Sequence, residues 1–442
     1  MIYKFLNDTE ELEAYITGGA GTGKTTTLIE IVEKLIKDKV NFLVCAYTHK
    51  AKDVLISKLP VLKDEYIVTL HSFLKKRPTI NSKATDVSRL LTSKQYGEPE
   101  TLQLLIVDEF SFIGERDYSS IGELQNYDLV TYKCAKCSND VEELAECSKC
   151  HSTEQVVHTD TRLKVLYVGD PNQLNPVNDV QAIQAGGEYH THLDIIHRVE
   201  NEDLLPILNE LVELVESCSS EVIAPMNYCN DSVVFVPDLV DAYKESDTRD
   251  NLLLAFTNAM VQGMNASIVG RQFPIEGDTI YNYSMKKKYV VQGEVAHKDV
   301  TSLLIPREPG FITTQTKYNP IKQLGKIKDI KYYQTDEGII PCFFGSNRAK
   351  ILKGNIGKAL TAKNKAGKDS RREYATYKTV EDYVSVCDFP YATTIHKAQG
   401  SQADEVYLHI GDLLSKCPMV LDINRLLYVA VSRAKKRVYF TL

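Results

Sequence analysis

No stretch of the 442-residue chain approaches the ~18 consecutive apolar residues that cross a bilayer. The start, Met1-Ile2-Tyr3-Lys4-Phe5-Leu6-Asn7-Asp8, has no basic segment and no long apolar run. A soluble, cytoplasmic protein without a membrane partner is expected. An excess of positive charge is also missing: 52 Lys and Arg stand against 59 Asp and Glu, a net charge of −7. This argues against attachment to nucleic acid by bulk charge, but it leaves room for a local basic groove, because phosphate contacts act over roughly a Debye length. Solenoid repeats and low-complexity tracts are absent. With 43% hydrophobic residues, the chain can fill the cores of two to four domains. A disulfide framework is not indicated, since four of the ten cysteines cluster in a metal-like spacing and the rest are scattered, as in a reducing compartment.

Short apolar, β-rich runs alternate with longer helical stretches, the pattern of parallel α/β sheets. Residues 42–46, 104–107 and 165–168 read as buried strands, and 252–256, 405–408 and 437–440 continue the series. Between Lys24 and Lys37, Leu28, Ile29, Ile31, Val32, Leu35 and Ile36 fall on one helical face. Three regions break the rhythm: a polar excursion at 75–101, a cysteine-bearing stretch at 131–162, and a Lys-, Tyr- and Gly-rich region at about 275–385 that reads as largely β.

Gly18-Gly19-Ala20-Gly21-Thr22-Gly23-Lys24-Thr25 satisfies the full phosphate-loop pattern, after a short apolar run and at the start of a helix. Glycines let backbone N–H groups approach phosphate oxygens, and the helix N-terminus favours an anion. Gly19, Ala20, Gly21, Thr22, Gly23, Lys24, Thr25 and Thr26 are therefore candidate nucleotide contacts, Lys24 for the β- and γ-phosphates and Thr25 for Mg²⁺. Leu104-Leu105-Ile106-Val107-Asp108-Glu109 places two carboxylates past a buried strand. In phosphoryl transfer Asp108 would hold Mg²⁺ and Glu109 would orient the attacking water. An apolar run ending in Asp-Glu is common alone; after a phosphate loop it acquires meaning.

Gly169-Asp170-Pro171-Asn172-Gln173 ends a further strand, and an amide at Gln173 could sense the γ-phosphate, although the composition also suits a plain turn. Near the end of the chain, Arg433 in 427–434 is placed for an arginine finger, or is an ordinary surface arginine in a basic run. Thr393 to Gln402 offers hydroxyls, an imidazole and exposed backbone for a nucleic-acid backbone, or simply an N-cap at Thr394 followed by a turn.

Cys134-Ala135-Lys136-Cys137 and Cys147-Ser148-Lys149-Cys150 form two C-x-x-C pairs nine residues apart. Paired spacings of this kind let two tight turns grip one tetrahedral ion, so Cys134, Cys137, Cys147 and Cys150 are candidate ligands of a structural Zn²⁺. Four unliganded thiols or a redox pair is the alternative, and His151 and His158 are alternative ligands. Lys133, Lys136 and Lys149 could bring the ribbon to DNA, against Asp140, Glu142, Glu143 and Glu146; docking of replication or recombination proteins is equally open.

In this order, the motifs resemble superfamily 1 DNA helicases, specifically their Dda/RecD-like branch, from Thr17 to Thr441. The resemblance implies two RecA-like P-loop domains with parallel sheets. The first would carry a small insertion and the zinc ribbon, and the second an SH3-like β insertion. Domain 1A would span 1–190, with a strand-separating hairpin at 75–101 (1B) and the ribbon at 131–162. Domain 2A would take 191–274 and 386–442, with 275–385 as insertion 2B. It implies DNA contacts at Thr48 and His49, at Thr69 and His71, at Thr257 and Asn258, and at Thr394 and His396. It implies further phosphate-site roles for Gln173, Arg198, Gly400, Gln402 and the finger Arg433. The family's adenine-reading glutamine before the phosphate loop has no counterpart, since the first glutamine is Gln95; use of other nucleoside triphosphates is therefore open. The family's closest members lack the cysteine insertion.

The implied activity is ATP- and Mg²⁺-dependent movement on single-stranded and forked DNA, 5′→3′ by analogy with the branch, by a monomer. A phage-encoded replication, recombination or repair motor in the host cytoplasm fits the same analogy. A translocase that displaces proteins without unwinding shares every motif, and only the 75–101 insertion distinguishes it. A small-molecule P-loop enzyme explains 18–25 and 108–109 but not the two late segments. A scaffold leaves Lys24, Thr25, Asp108 and Glu109 without a purpose.

Overall fold

The computed structural model describes residues 1–442 except 9, 48, 63–65, 75–91, 94–99, 127–129, 138–139, 142–145, 160–162, 177–180, 195–201, 284–286, 304–321, 323, 326, 328–329, 345–347, 367–375, 377–378 and 381–382. The chain divides into two compact units. Met1–Ile223 and Val420–Lys435 form the first, and Ala224–Met419 and Lys436–Leu442 the second.

The first unit is built on a six-stranded, all-parallel sheet. Its order is His190–Leu193, Glu13–Gly18, Lys164–Gly169, Leu104–Asp108, Phe42–Ala46, Ile67–Thr69. Side chains alternate between two cores. Ala14, Ile16, Val44, Ile106 and Val168 meet Leu28, Val32 and Leu35 of the helix Lys24–Lys37. Tyr15, Cys45, Val107 and Tyr167 meet Ile121 and Leu124 of the helix Glu115–Gln125 on the other face. Burial on both faces explains why these strands read as continuous apolar runs. The register pairs Thr17 with Gly169 and Val168 with Asp108. The phosphate loop, Asp108 and the turn at Asp170 therefore emerge at one carboxyl edge, where ligands of open α/β sheets bind.

Residues 191–223 and 420–435 group with this unit, unlike the expected boundaries at 190 and 386. The reason is that the apolar faces of the helices Leu205–Glu216 and Val420–Val431 pack together. Within 75–101 the described strands Thr92–Ser93 and Glu100–Thr101 pair antiparallel; the rest of the expected hairpin lies outside the described residues. The cysteine stretch forms a three-stranded antiparallel sheet with Val130–Cys134 between Asp140–Val141 and Gln155–Thr159.

The second unit holds a five-stranded sheet in the order Val233–Phe235, Ala434–Thr441, Ala403–His409, Asn251–Ala255, Ala392–Thr394. The strands Thr279–Asn282, Lys287–Val295, Lys331–Thr335, Gly338–Phe344 and Ser385–Asp388 close into a barrel. Ile280, Tyr289, Tyr333, Ile340 and Phe344 fill it. A largely β insertion was expected here, yet it also carries the helix Arg348–Lys365, whose Leu352 and Ile356, at i and i+4, pack beside Phe343 and Val384. The architecture is thus two P-loop-type α/β units, each built on a sheet of parallel-paired strands, with the cysteine ribbon in the first and a small β-barrel in the second. Among the described residues, no helix is long and apolar enough to cross a membrane.

Candidate active site

The loop from the strand Glu13–Gly18 to the helix Lys24–Lys37 can be made only by small residues. A Cβ on Gly18 would lie 2.5 Å from Thr22 Oγ1 and 2.6 Å from the Leu193 carbonyl oxygen. Gly21 and Gly23 have φ of +86° and +89°, the left-handed region that favours glycine. No side chain caps the helix at Gly23, which suits an incoming anion at its first turn. Lys24 Nζ donates to the carbonyls of Gly18 and Gly19, each at 2.7 Å, so the ammonium is folded over the loop. Thr25 is half-buried and Thr26 exposed.

Asp108 closes the strand Leu104–Asp108. Burial, reinforced by the neighbouring Glu109 carboxylate and opposed by Lys24, pushes it up to about 7. Glu109 adopts φ +59°, ψ +53°, a costly backbone for a non-glycine residue, and its buried Oε2 has no hydrogen-bond partner among the described residues. A carboxyl held above its usual range and an orphaned buried oxygen fit a site completed by a hard divalent cation and a water. Asp108 and Thr25 would hold Mg²⁺, which would neutralise phosphate charge.

Arg433 is 2% exposed, so the surface-arginine alternative does not hold. Its Nε donates to the Val429 carbonyl at 3.1 Å and its Nη2 to Ser432 Oγ at 3.1 Å. Burial lowers its pKa, while Glu109, Tyr428 and Asp170 favour its charge.

Sequence reasoning passed over three residues of this neighbourhood. Fully buried Asp170 accepts from Asn172 N–H (3.0 Å), Tyr428 OH (2.8 Å) and Gln173 Nε2 (3.3 Å). Tyr428 OH also accepts from Ala20 N–H at 3.1 Å. Arg425 Nη1 donates to the carbonyls of Pro171 and Gln173 at 3.2 and 2.7 Å. Asp170 and Tyr428 sit inside segments that the motifs mark, but nothing local pairs residues 258 positions apart.

The structure brings together the phosphate loop, Asp108, Glu109, Gln173 and Arg433 within the first unit. Thr48 and Arg198 lie outside the described residues, as does the side chain of His49. Thr69 caps the helix Leu70–Phe73 by accepting from Ser72 N–H at 3.2 Å. Half-exposed His71 has Nε2 3.4 Å from Asp117 Oδ2 and its ring edge against Tyr47.

Gly400 and Gln402, expected at the phosphate site, and the remaining expected DNA contacts belong to the second unit. Ala255 pairs with Thr394, so the loops after both strands leave the same sheet edge. Thr257 N–H and Oγ1 and Phe256 N–H all donate to Asp412, a buried carboxylate that sequence reasoning also missed. His396 is exposed, its ring 5.9 Å from that of Phe256, and Asn258 Oδ1 accepts from Lys397 Nζ at 3.4 Å. Thr394 is 5% exposed and makes no side-chain cap bond; Gly400 turns the chain with φ +76°. Asp412→Ala is expected to destabilise the second unit by about 1–3 kcal/mol, because it strands part-buried N–H donors. Denaturant unfolding of the variant beside wild type checks this.

Beneath this edge, burial pushes Asp388 up to about 6, against the Phe389 N–H, Asn265 and Lys397. A carboxyl whose pKa is higher folded than unfolded contributes most below the unfolded value of 3.8, and this contribution is lost as pH rises through about 6. The loss amounts to about 3 kcal/mol at most. Asp388→Asn should therefore flatten the decline in stability between pH 4 and 7, as thermal melts across that range would record.

The four cysteine sulfurs lie within 4.8 Å of one another, with Cys134–Cys150 at 3.3 Å and Cys137–Cys147 at 3.5 Å. A tetrahedral Zn²⁺ with ~2.3 Å bonds needs sulfurs about 3.8 Å apart, so the set fits after small adjustment. His151 stands outside it, exposed and bonded to Glu146. The side chain of His158 lies outside the described residues.

Two family models match the chain: an AAA domain over residues 7–130 and a UvrD-like helicase C-terminal domain over 389–441. An uncharacterized protein of Acanthamoeba polyphaga mimivirus is 22% identical over 516 residues, spanning 100% of this chain and 97% of its own. The ATP-dependent DNA helicase dda of Enterobacteria phage T4 is 24% identical over 470 residues, spanning 96% and 93%. Among solved structures, a Pif1 helicase from Bacteroides, in complex with ADP-AlF3 and single-stranded DNA, aligns over 99% of this chain and 90% of its own. That alignment has 17% identity and a TM-score of 0.46.

Proposed function

We propose that the chain is a superfamily 1 DNA helicase and ATPase that spends ATP at the Lys24, Asp108 and Glu109 site to travel 5′→3′ on single-stranded DNA and part duplexes ahead of it. One observation carries the reading. A full phosphate loop, a half-buried Asp-Glu pair and a buried arginine whose charge Glu109 favours share one unit.

The roles follow from that geometry. Lys24 leaves the carbonyls of Gly18 and Gly19 to meet the β- and γ-phosphates, with Gly19 to Thr26 wrapping the anion. Glu109, with an oxygen already unpartnered, orients the attacking water. Gln173 senses the phosphate that departs, and Arg433, with Arg198, offsets charge on it. The likeness to the Dda/RecD branch assigns Gly400 and Gln402 of the late motif to the nucleotide as well. Thr48, His49, Thr69 and His71 would grip DNA from one unit, and Thr257, Asn258, Thr394 and His396 from the other. Alternation of the grips gives stepping by a monomer. The polarity, a phage-like replication or recombination setting in a host cytoplasm, and protein docking through a zinc-bearing ribbon rest on the likeness to the Dda/RecD branch.

The experiment is Mg²⁺-dependent ATP hydrolysis with and without single-stranded DNA. Stimulation by about 10-fold or more supports the reading; hydrolysis indifferent to DNA would remove it.

A further inference from the structure

We propose that the Tyr428 hydroxyl is a positioning group of the ATPase, fixing the Gln173 amide by tying Asp170 to the phosphate loop at Ala20. Tyr428 is 3% exposed, and a buried phenol needs partners for its hydroxyl. It has two. It accepts from Ala20 N–H at 3.1 Å and donates to Asp170 Oδ2 at 2.8 Å.

Asp170 Oδ2 also accepts from Gln173 Nε2 at 3.3 Å, so phenol and amide share one oxygen of a fully buried carboxylate. The other oxygen is taken by Asn172 N–H. Which way the amide faces is therefore set through Asp170 by Tyr428. Burial and the Asp170 charge push the phenol well above its ordinary range, so it stays a donor at working pH.

Two further features support the link. A Cβ on Gly19 would lie 3.2 Å from the hydroxyl, so a bare glycine leaves the phenol its seat. One turn earlier on the same helix, Arg425 holds the carbonyls of Pro171 and Gln173. The helix Val420–Val431 thus grips the turn at 170–173 twice and the phosphate loop once. A change in the loop's frame on nucleotide binding reaches Gln173 through a hydroxyl rather than through the chain.

The inference rests on the ATPase reading. Hydrolysis by the wild-type chain tests that reading alone, and ratios of variant to wild type test this one. Tyr428→Phe keeps the ring and removes both hydrogen bonds. With saturating single-stranded DNA, we expect kcat to fall about 10-fold while KM for ATP stays within about 3-fold. Adding Gln173→Ala to Tyr428→Phe should cost far less than Gln173→Ala alone, since the amide is already misplaced. Asp170→Asn, acting on the same hydroxyl from the acceptor side, should give the same split. Independent effects of Tyr428→Phe and Gln173→Ala, an unchanged kcat, or a change confined to KM would overturn the proposal.

Discussion

Lys24→Ala is expected to lower kcat for ATP hydrolysis by about 10³-fold while the chain keeps its fold and its affinity for single-stranded DNA. The ammonium is the only side-chain cation of the phosphate loop and rests on the carbonyls of Gly18 and Gly19, two acceptors that water can satisfy in its place. Its removal thus costs the fold little. In the reaction the loss is large, because a positive charge facing the transferred phosphate acts in a site where burial already pushes Asp108 up to about 7. Without Lys24, the larger of the two lysine charges that lower Asp108 is also gone. Steady-state hydrolysis, paired with DNA-binding titrations and a thermal melt, separates these effects. A variant that hydrolyses ATP within about 10-fold of wild type would contradict the assignment.

The second large effect concerns the cysteine ribbon. Purified chain is expected to carry one equivalent of Zn²⁺, and Cys134→Ser or Cys147→Ser to lose it. Structural zinc sites in small domains contribute about 10–16 kcal/mol of apparent binding free energy, which here would be the folding free energy of the ribbon itself. Its strands are short, two to five residues, and the four cysteine sulfurs meet within 4.8 Å of one another, so the ion would be a main source of order. Metal loss should therefore expose 130–159 to limited proteolysis while the parallel sheet of the first unit stays protected. Metal content with proteolysis gives the answer. A chain without metal whose ribbon resists protease as well as wild type would exclude a zinc role.

The sequence made the first sheet legible because both of its faces are buried. Leu104 to Val107 and Val165 to Val168 could hardly be anything but inner strands, and the periodicity of Lys24–Lys37 matches the helix end to end. The phosphate loop was legible for a different reason: its chemistry lies in consecutive residues. What escaped was contact at a distance. Asp412 serves Thr257 across 155 positions, and Tyr428 serves Asp170 across 258, through hydrogen bonds that no periodicity encodes. The helix Arg348–Lys365 escaped because its apolar positions are sparse among lysines and glycines, so packing rather than pattern selects it. The helix Val420–Val431 was marked only by its last residues, as the segment that leads to Arg433. Its partner, Leu205–Glu216, was not marked at all.

The most direct test of the account is strand separation with ATP and Mg²⁺ on 5′-tailed, 3′-tailed and forked DNA duplexes, with Lys24→Ala alongside. Wild type is expected to unwind the 5′-tailed and forked substrates, and the variant none. DNA-stimulated hydrolysis without strand separation on any of the three would contradict it and leave a motor that moves on DNA without opening it.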